Sequence, residues 1–173
     1  MGVLRAPVEA FAAMLAQCRG FSDWLGLPTF DPTEAARRIY FDGVGVDIDA
    51  EAMSRSDLEE LRPYVILYMD GGGHVFKRDA APNCWTGNGG IVAVFSRRYD
   101  EALTISEHWT RATDAMEPII STDDANVPGL LELSGTAGYL HASEIRVSIA
   151  GRTPLEARPQ YGDAFDVVLY VGY

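Results

Sequence analysis

The chain has 173 residues, of which 47% are hydrophobic and 23% charged, so residues 1–173 suit one domain and the composition excludes intrinsic disorder. Its formal net charge is −11, from 14 basic and 25 acidic side chains. That balance argues against a groove that wraps nucleic acid, because phosphate binding depends on clustered Lys and Arg.

The N-terminal segment predicts an amphipathic helix. Pro7 suits a first helical turn, and Gly20 is the predicted stop. The apolar residues between them recur at spacings of 4 and 3: Phe11, Leu15 and Cys18. Phe21, Trp24 and Leu25 follow as an apolar cluster that we expect to pack on this helix.

A short helix and a strand are predicted next. Asp31 as N-cap, with Pro32 and Glu34, predicts a helix from about 32 to 38. The strand alternates between apolar and polar or small residues, with a break at Gly43. Its apolar positions are Ile39, Phe41, Val44, Val46 and Ile48.

Two continuous apolar runs predict central strands: YVILYM at 64–69 and IVAVF at 91–95. Both are too short for independent helices and are rich in β-branched and aromatic residues. Residues 71–90, here called the arm, join them as a long, Gly-rich inter-strand loop. A connection of about twenty residues is longer than the usual hairpin loop and is commonly functional when ordered.

The C-terminal half predicts one long helix and two strands. The helix spans 98–117, ends at Pro118 and carries an apolar face of Ala102, Ile105, Trp109, Ala112 and Met116. Alternation then predicts a strand through Ile145, Val147 and Ile149, and a last strand through Phe165, Val167, Leu169 and Val171. Consecutive strands without long connecting helices favour an α+β fold. We predict a mostly antiparallel sheet of about five strands with two main helices packed on one face.

Neither a membrane span nor a cysteine framework is predicted. No apolar run approaches the roughly 20 residues that cross a bilayer, and no signal-peptide pattern opens the chain. Cys18 and Cys84 stand outside any CxxC pair, which indicates a reducing, cytosolic origin.

The histidines and the Gly-rich arm give only weak signals for phosphate binding, Cys-His catalysis or zinc binding. The arm lacks the GxxxxGK[ST] and GxGxxG patterns of phosphate-binding loops. Cys84 and His74 share the arm, yet no oxyanion donors or supporting helix fix their geometry. The histidines, His74, His108 and His141, lack the short ligand spacings of a zinc site, and His108 is expected at the edge of its helix's buried face. We therefore assign no catalytic residue, metal or cofactor.

Two segments are candidates for contact instead. The arm carries His74, Phe76, Lys77 and Trp85, and we interpret it as a contact with another subunit rather than a plain surface loop. Residues 42–60, the acidic stretch, form either a solvated face or a surface that repels DNA. Its carboxylates are Asp42, Asp47, Asp49, Glu51, Asp57, Glu59 and Glu60.

The whole pattern resembles the small neck and tail-completion proteins of long-tailed bacteriophages and prophages, including the tail-terminator group. The resemblance lies in FAAMLAQCRGFSDWLG, EAARRIYFDGV, the strand pair LYMDGGGHVFKRDAAPNCWTGNGGIVAVF, and the helix from Tyr99 to Glu117. It is closest in the ending, IRVSIAGRTPLEARPQYGDAFDVVLYVGY. The chain departs from the family in ending VGY rather than Trp-Gly and in its longer linker.

This resemblance implies a non-enzymatic virion protein, assembled in the bacterial cytoplasm, that forms a ring at the head-proximal end of the tail. The resemblance implies that the ring is a hexamer that contacts the tail tube protein and the head connector. DNA is expected to pass through it without specific binding. A head-closure or adaptor protein is the nearest alternative. A small enzyme using Cys84 with His74 or His141, and a small-ligand binding module, are the others.

Overall fold

The computed structural model describes residues 6–41, 60–71, 75–78, 85–136, 138–153 and 164–173. Its helices are α1 (Ala6–Ala16), α2 (Arg19–Leu25), α3 (Pro32–Ala36), α4 (Ile105–Ile120) and α5 (Leu130–Leu133). Its strands are β1 (Ile39–Phe41), β2 (Tyr64–Met69), β3 (Val75–Arg78), β4 (Trp85–Asn88), β5 (Gly90–Arg98), β6 (Glu144–Thr153) and β7 (Ala164–Gly172).

Five of these strands form one sheet in the order β1-β2-β5-β7-β6. The β1–β2 pair is parallel, and the other neighbours are antiparallel. One row across the sheet joins Leu67, Ala93, Leu169 and Val147. The α+β fold and the mostly antiparallel five-stranded sheet are therefore confirmed, and β6 is the edge strand on the far side from β1.

A cluster of buried apolar side chains lies between the sheet and the helices. The aromatic residues predicted to pack on the first helix belong to it, in α2: the Trp24 ring lies 5.9 Å from Phe21 and 5.2 Å from Phe95 of β5. Alternate residues of the three central strands complete the cluster: Val65, Leu67, Ile91, Ala93, Phe95, Val167, Leu169 and Val171. These strands take part because their core-facing positions are all apolar.

The predicted helix stop at Gly20 is wrong. Helix α1 ends at Ala16, and Gly20 lies inside α2, which ends at Leu25 and is capped by Gly26 in the left-handed conformation (φ 75°). A Cβ on Gly20 would lie 2.7 Å from the backbone carbonyl of Pro118 in α4. Glycine is therefore present because α2 and α4 approach closely, and not because a helix terminates.

The predicted bounds of the long helix are also wrong. A capping box starts α4: Thr104 accepts from the Glu107 N–H, and the Glu107 carboxylate accepts from the Thr104 N–H at 2.8 Å. Pro118 lies inside the last turn, and the helix continues to Ile120. A proline there removes one backbone hydrogen bond, and the burial of Ile119 in the core offsets that loss.

Shorter elements follow the sequence more closely. Asp31 caps α3 by accepting from the backbone of Thr33 and Glu34. Helix α3 ends at Ala36, two residues before the predicted end, and the Glu34 carboxylate pairs with Arg37 at 3.0 Å. The predicted continuation of the first strand through Val44, Val46 and Ile48 lies outside the described residues.

Candidate functional site

The arm contains two short strands rather than a continuous loop. Strands β3 and β4 pair antiparallel, from Val75 opposite Asn88 to Arg78 opposite Trp85. They form a two-stranded sheet of their own, separate from the five-stranded sheet. The β-branched and aromatic residues in VFKR and WTGN favour this pairing.

The base of the arm is joined to the main sheet by backbone hydrogen bonds. The Asp70 N–H donates to the Gly90 carbonyl at 2.9 Å. Gly89 and Tyr173 exchange a pair of bonds, each 3.0 Å. The Tyr170 ring occupies the space where a Cβ on Gly90 would lie. The arm is thus anchored where β5 meets the end of β7.

One face of β3 presents an apolar side chain and a cation to solvent. Val75 is 52% exposed, and Lys77, two residues along the same strand, is exposed as well. Phe76 and Trp85 occupy backbone positions opposite Gly87 and Arg78, and His74 lies outside the described residues. Val75 is not among the residues predicted from the sequence. Its spacing of two residues from Lys77 could have identified it, because alternate residues of a strand lie on the same face.

The acidic stretch is described at one position only. Glu60 is exposed. The other predicted carboxylates lie outside the described residues: Asp42, Asp47, Asp49, Glu51, Asp57 and Glu59. The choice between a solvated face and a DNA-repelling surface therefore stays a prediction.

A second surface, not anticipated from the sequence, lies between α4 and the edge strand β6. It is a cavity of about 560 Å³, here called the edge groove. Its lining is mostly apolar and consists of Trp109, Thr113, Met116, Glu117, Ile120, Ser121, Val147 and Ile149. Nothing about an alternating strand or an amphipathic helix, taken separately, indicates that a gap remains between them.

The edge groove is open because the core is incompletely covered at the sheet edge. Val147 belongs to the same row as the buried Leu169, yet it is 41% exposed. Trp109 and Ile105, predicted to lie on the buried face of α4, are 45% and 66% exposed. That prediction is wrong for the first half of the helix, whereas Met116 is buried as expected. Large apolar side chains exposed next to one another are typical of contact surfaces.

The histidines and Cys18 give no catalytic arrangement in the part of the chain that the structure describes. Burial, with a contribution from Glu132, raises the pKa of Cys18 to about 12, so this thiol is a poor nucleophile. His108 is buried, as expected at the edge of its helix, stacks on Phe165 and bonds through Nε2 to the Asp100 carbonyl at 2.8 Å. His141 is exposed.

Cys84 and His74 lie outside the described residues, so their pairing stays an untested alternative. Over the described ranges, no group of three His, Cys, Asp or Glu residues could hold a metal ion. The same ranges contain no helix long and apolar enough to cross a membrane.

A small basic cavity lies at the opposite end of the central strands from the arm. It measures about 290 Å³ and is lined by Arg62, Pro63, Arg97 and Arg98. The guanidinium of Arg97 lies 5.0 Å from the Trp24 ring centroid and donates to the Trp24 carbonyl, and Arg62 donates to Ser96. Burial lowers the pKa of Arg97. Because Arg62 and Arg97 bond groups of the protein itself, we assign this cavity a structural role.

Comparison with protein-family models and with curated proteins gives no match to this chain. Function is therefore inferred from the two surfaces just described. Strand β3 of the arm presents an exposed apolar residue, Val75, and an exposed cation, Lys77. The edge groove presents a mostly apolar gap with one carboxylate, Glu117, in its lining.

Proposed function

We propose that the chain is a structural subunit of the neck of a long-tailed phage or prophage. It acts as a tail-terminator or tail-completion protein in a ring at the head-proximal end of the tail. The observation that supports this best is the arm, an anchored two-stranded sheet that is separate from the main sheet. A monomeric enzyme or ligand-binding module has no evident use for it.

Ring formation follows from having two different contact surfaces on one chain. When a patch on one subunit binds a different patch on the next, the contacts are heterologous, and the assembly closes if the rotation permits. The arm and the edge groove are two such patches. The size expected from the family resemblance is a hexamer.

The partners of the ring are a second copy of this chain, the tail tube protein and the head-connector proteins. The net charge of −11 lets DNA pass through the ring without specific binding, because like charges repel the phosphate backbone. The proposed location is the virion, after assembly in the bacterial cytoplasm. In this role the protein catalyses no reaction.

Deletion of the gene from a phage or prophage that carries it tests the proposal. We expect tails of irregular, excessive length that fail to join heads, visible by electron microscopy, and restoration by the chain supplied in trans. Heads that lose DNA beside tails of normal length would instead indicate a head-closure or adaptor protein. Normal, joined particles would overturn the neck assignment.

The solution mass of the purified chain supplies an independent test. Light scattering over a concentration series, at low and high salt, should show discrete growth from 18.9 kDa toward a closed oligomer. A continuous rise in mass would indicate open polymers and would contradict a closed ring.

A further inference from the structure

We infer that the edge groove of one copy is the docking site for the arm of a second copy. This inference deepens the proposed ring and rests on it. The juxtaposition that carries it is an apolar gap with the Glu117 carboxylate in its lining on one part of the chain, and a strand with an exposed apolar residue and an exposed cation on another.

The edge groove has the composition of the centre of a protein contact. Trp109 and Val147 are large, apolar and nearly half exposed on its two sides, and Met116 lies within its lining. Aromatic anchors set in a pocket and surrounded by polar residues dominate the energy of such contacts. Glu117 supplies a carboxylate in the lining, and Ser121 a hydroxyl.

The charges of β3 complement those of α4. Strands β3 and β4 together contain Lys77 and Arg78 and no acidic residue, whereas the arm's one acidic residue, Asp79, follows β3 and lies outside the described residues. Helix α4 carries Glu107, Asp114 and Glu117 against Arg111. Opposite charges of this kind align two protein surfaces and set their register. On one face of β3, Val75 therefore matches the apolar gap, and Lys77 matches the Glu117 carboxylate in its lining.

The arm and the edge groove are exposed separately within one chain. Val147 lies in the row of Leu67, in the middle of β2. The arm begins beyond Met69, past the last β2–β5 pair, and its base is held there by the bonds to Gly90 and Tyr173. Val75 and Trp109 both stay exposed within the same copy. We therefore assign the occupant of the edge groove to a second copy and not to the arm of the same chain.

Cross-linking between two proteins, each with one introduced and exposed cysteine, tests the inference directly. The background is Cys84→Ser with Cys18 retained, because that thiol is buried and its pKa is raised to about 12. One protein carries Val75→Cys, and the other carries Thr113→Cys in the groove lining. The control partner is Arg111→Cys, which is also exposed on α4 but is turned about 200° from position 113.

Mild oxidation of the Val75→Cys and Thr113→Cys mixture should give a disulfide-linked pair containing one of each protein. The Arg111→Cys mixture should not give this pair. Lys77→Glu in the arm protein should reduce the cross-link, and Glu117→Lys in the groove protein should restore it. Thermal unfolding of each variant checks that the fold is retained.

Equal cross-linking with both partners, or a dominant Val75→Cys self-pair, would overturn the docking assignment. So would a mixture that stays monomeric and unlinked. Failure of the proposed function is a separate result. A selective cross-link together with normal tails in the gene deletion leaves the arm-in-groove contact standing in a protein with another role.

Discussion

At the scale of single residues, Gly20 tests whether the helices are packed as described. An alanine inside a helix is ordinarily more favourable than glycine by about 1 kcal/mol. Here the added methyl would meet the Pro118 backbone at 2.7 Å, and backbone atoms cannot move aside cheaply. We therefore expect Gly20→Ala to lower the free energy of unfolding by roughly 1–3 kcal/mol, as overpacking does.

Urea denaturation measures this change. Gly71→Ala is the matched control, because a Cβ there has no atom within 4 Å, and it should alter stability by no more than about 0.5 kcal/mol. The sign of the change in the free energy of unfolding decides between the two effects. A more stable Gly20→Ala protein would mean that helix propensity wins and that α2 and α4 are farther apart than the structure shows.

The Glu132 carboxylate joins the two ends of the loop between α4 and α5. This carboxylate accepts from the Gly129 N–H at 2.8 Å and from the Thr122 N–H at 3.2 Å, as well as from the Ser121 hydroxyl. Burial acts to raise the pKa of Glu132, but these hydrogen bonds stabilise the charged form and lower the pKa below its ordinary 4.5.

A carboxyl whose pKa is lower in the folded than in the unfolded protein stabilises the fold at pH values above the unfolded pKa. This contribution is lost as the pH falls through the folded pKa. Glu132→Gln should therefore lower the thermal midpoint at neutral pH, and its difference from the parent should shrink below about pH 4.5, the unfolded value. Glu101→Gln, at another exposed position, is the control. A difference that stays constant down to pH 2 would contradict a role for the charge.

At the scale of elements, the start of α4 depends on its capping box. Thr104→Ala removes the side-chain acceptor for the Glu107 N–H, which costs about 1 kcal/mol at an N-cap. Thr110→Ala is the control, because it makes the same substitution inside the helix. There the Thr110 hydroxyl donates to the Ser106 carbonyl, and alanine is the better helix former. Chemical denaturation should show a clear loss for the first variant and none for the second.

If both threonine variants lose stability equally, the loss comes from the helix as a whole and not from its cap. Native-state hydrogen exchange separates the two cases further. Loss of the cap should speed exchange in the first turn of α4 before it affects the buried turn around Met116, because helix ends open locally.

The elements that the sequence predicted well are those in which local pattern and tertiary environment agree. Strands β2, β5 and β7 are continuous or alternating apolar runs, and the structure buries them in the middle of the sheet. The predicted start of α4 at residue 98 is wrong because it follows the apolar spacing that includes Ala102 and omits the capping pair Thr104 and Glu107, where the helix starts. Local hydrogen bonds decide where a helix begins, while periodicity decides only which face it buries.

Other features depend on distances between elements, which no local pattern contains. A glycine at the end of a helix and a glycine where two helices cross closely look the same in sequence. The pattern around Gly20 therefore predicts a helix end where the structure has a close helix crossing. The edge groove exists because the core-facing Val147 and the flank of α4 are left exposed. An alternating strand shows which residues face the core but not whether the covering layer reaches them.

At the scale of the whole molecule, ring closure should be sensitive to subunits that lack the arm. Replacing residues 72–88 with Asn-Gly keeps Asp70, Gly89 and Gly90, and therefore the bonds that join β2, β5 and the end of β7. Asn-Gly suits a two-residue hairpin turn. Because β3 and β4 form a separate sheet, the arm-less protein should keep its thermal midpoint.

An arm-less subunit keeps its edge groove, so it accepts an arm but cannot donate one. Each one that is incorporated leaves a ring open. In an equal mixture, each of the six positions in a ring is filled by an intact subunit half of the time. Only roughly one ring in 64 would then consist of intact subunits alone and close through heterologous contacts. Native mass spectrometry of mixtures should therefore show closed rings disappearing much more steeply than the intact fraction falls. A loss in simple proportion to that fraction would instead mean that arm-less subunits do not enter rings, and it would contradict docking of an arm in their intact edge grooves.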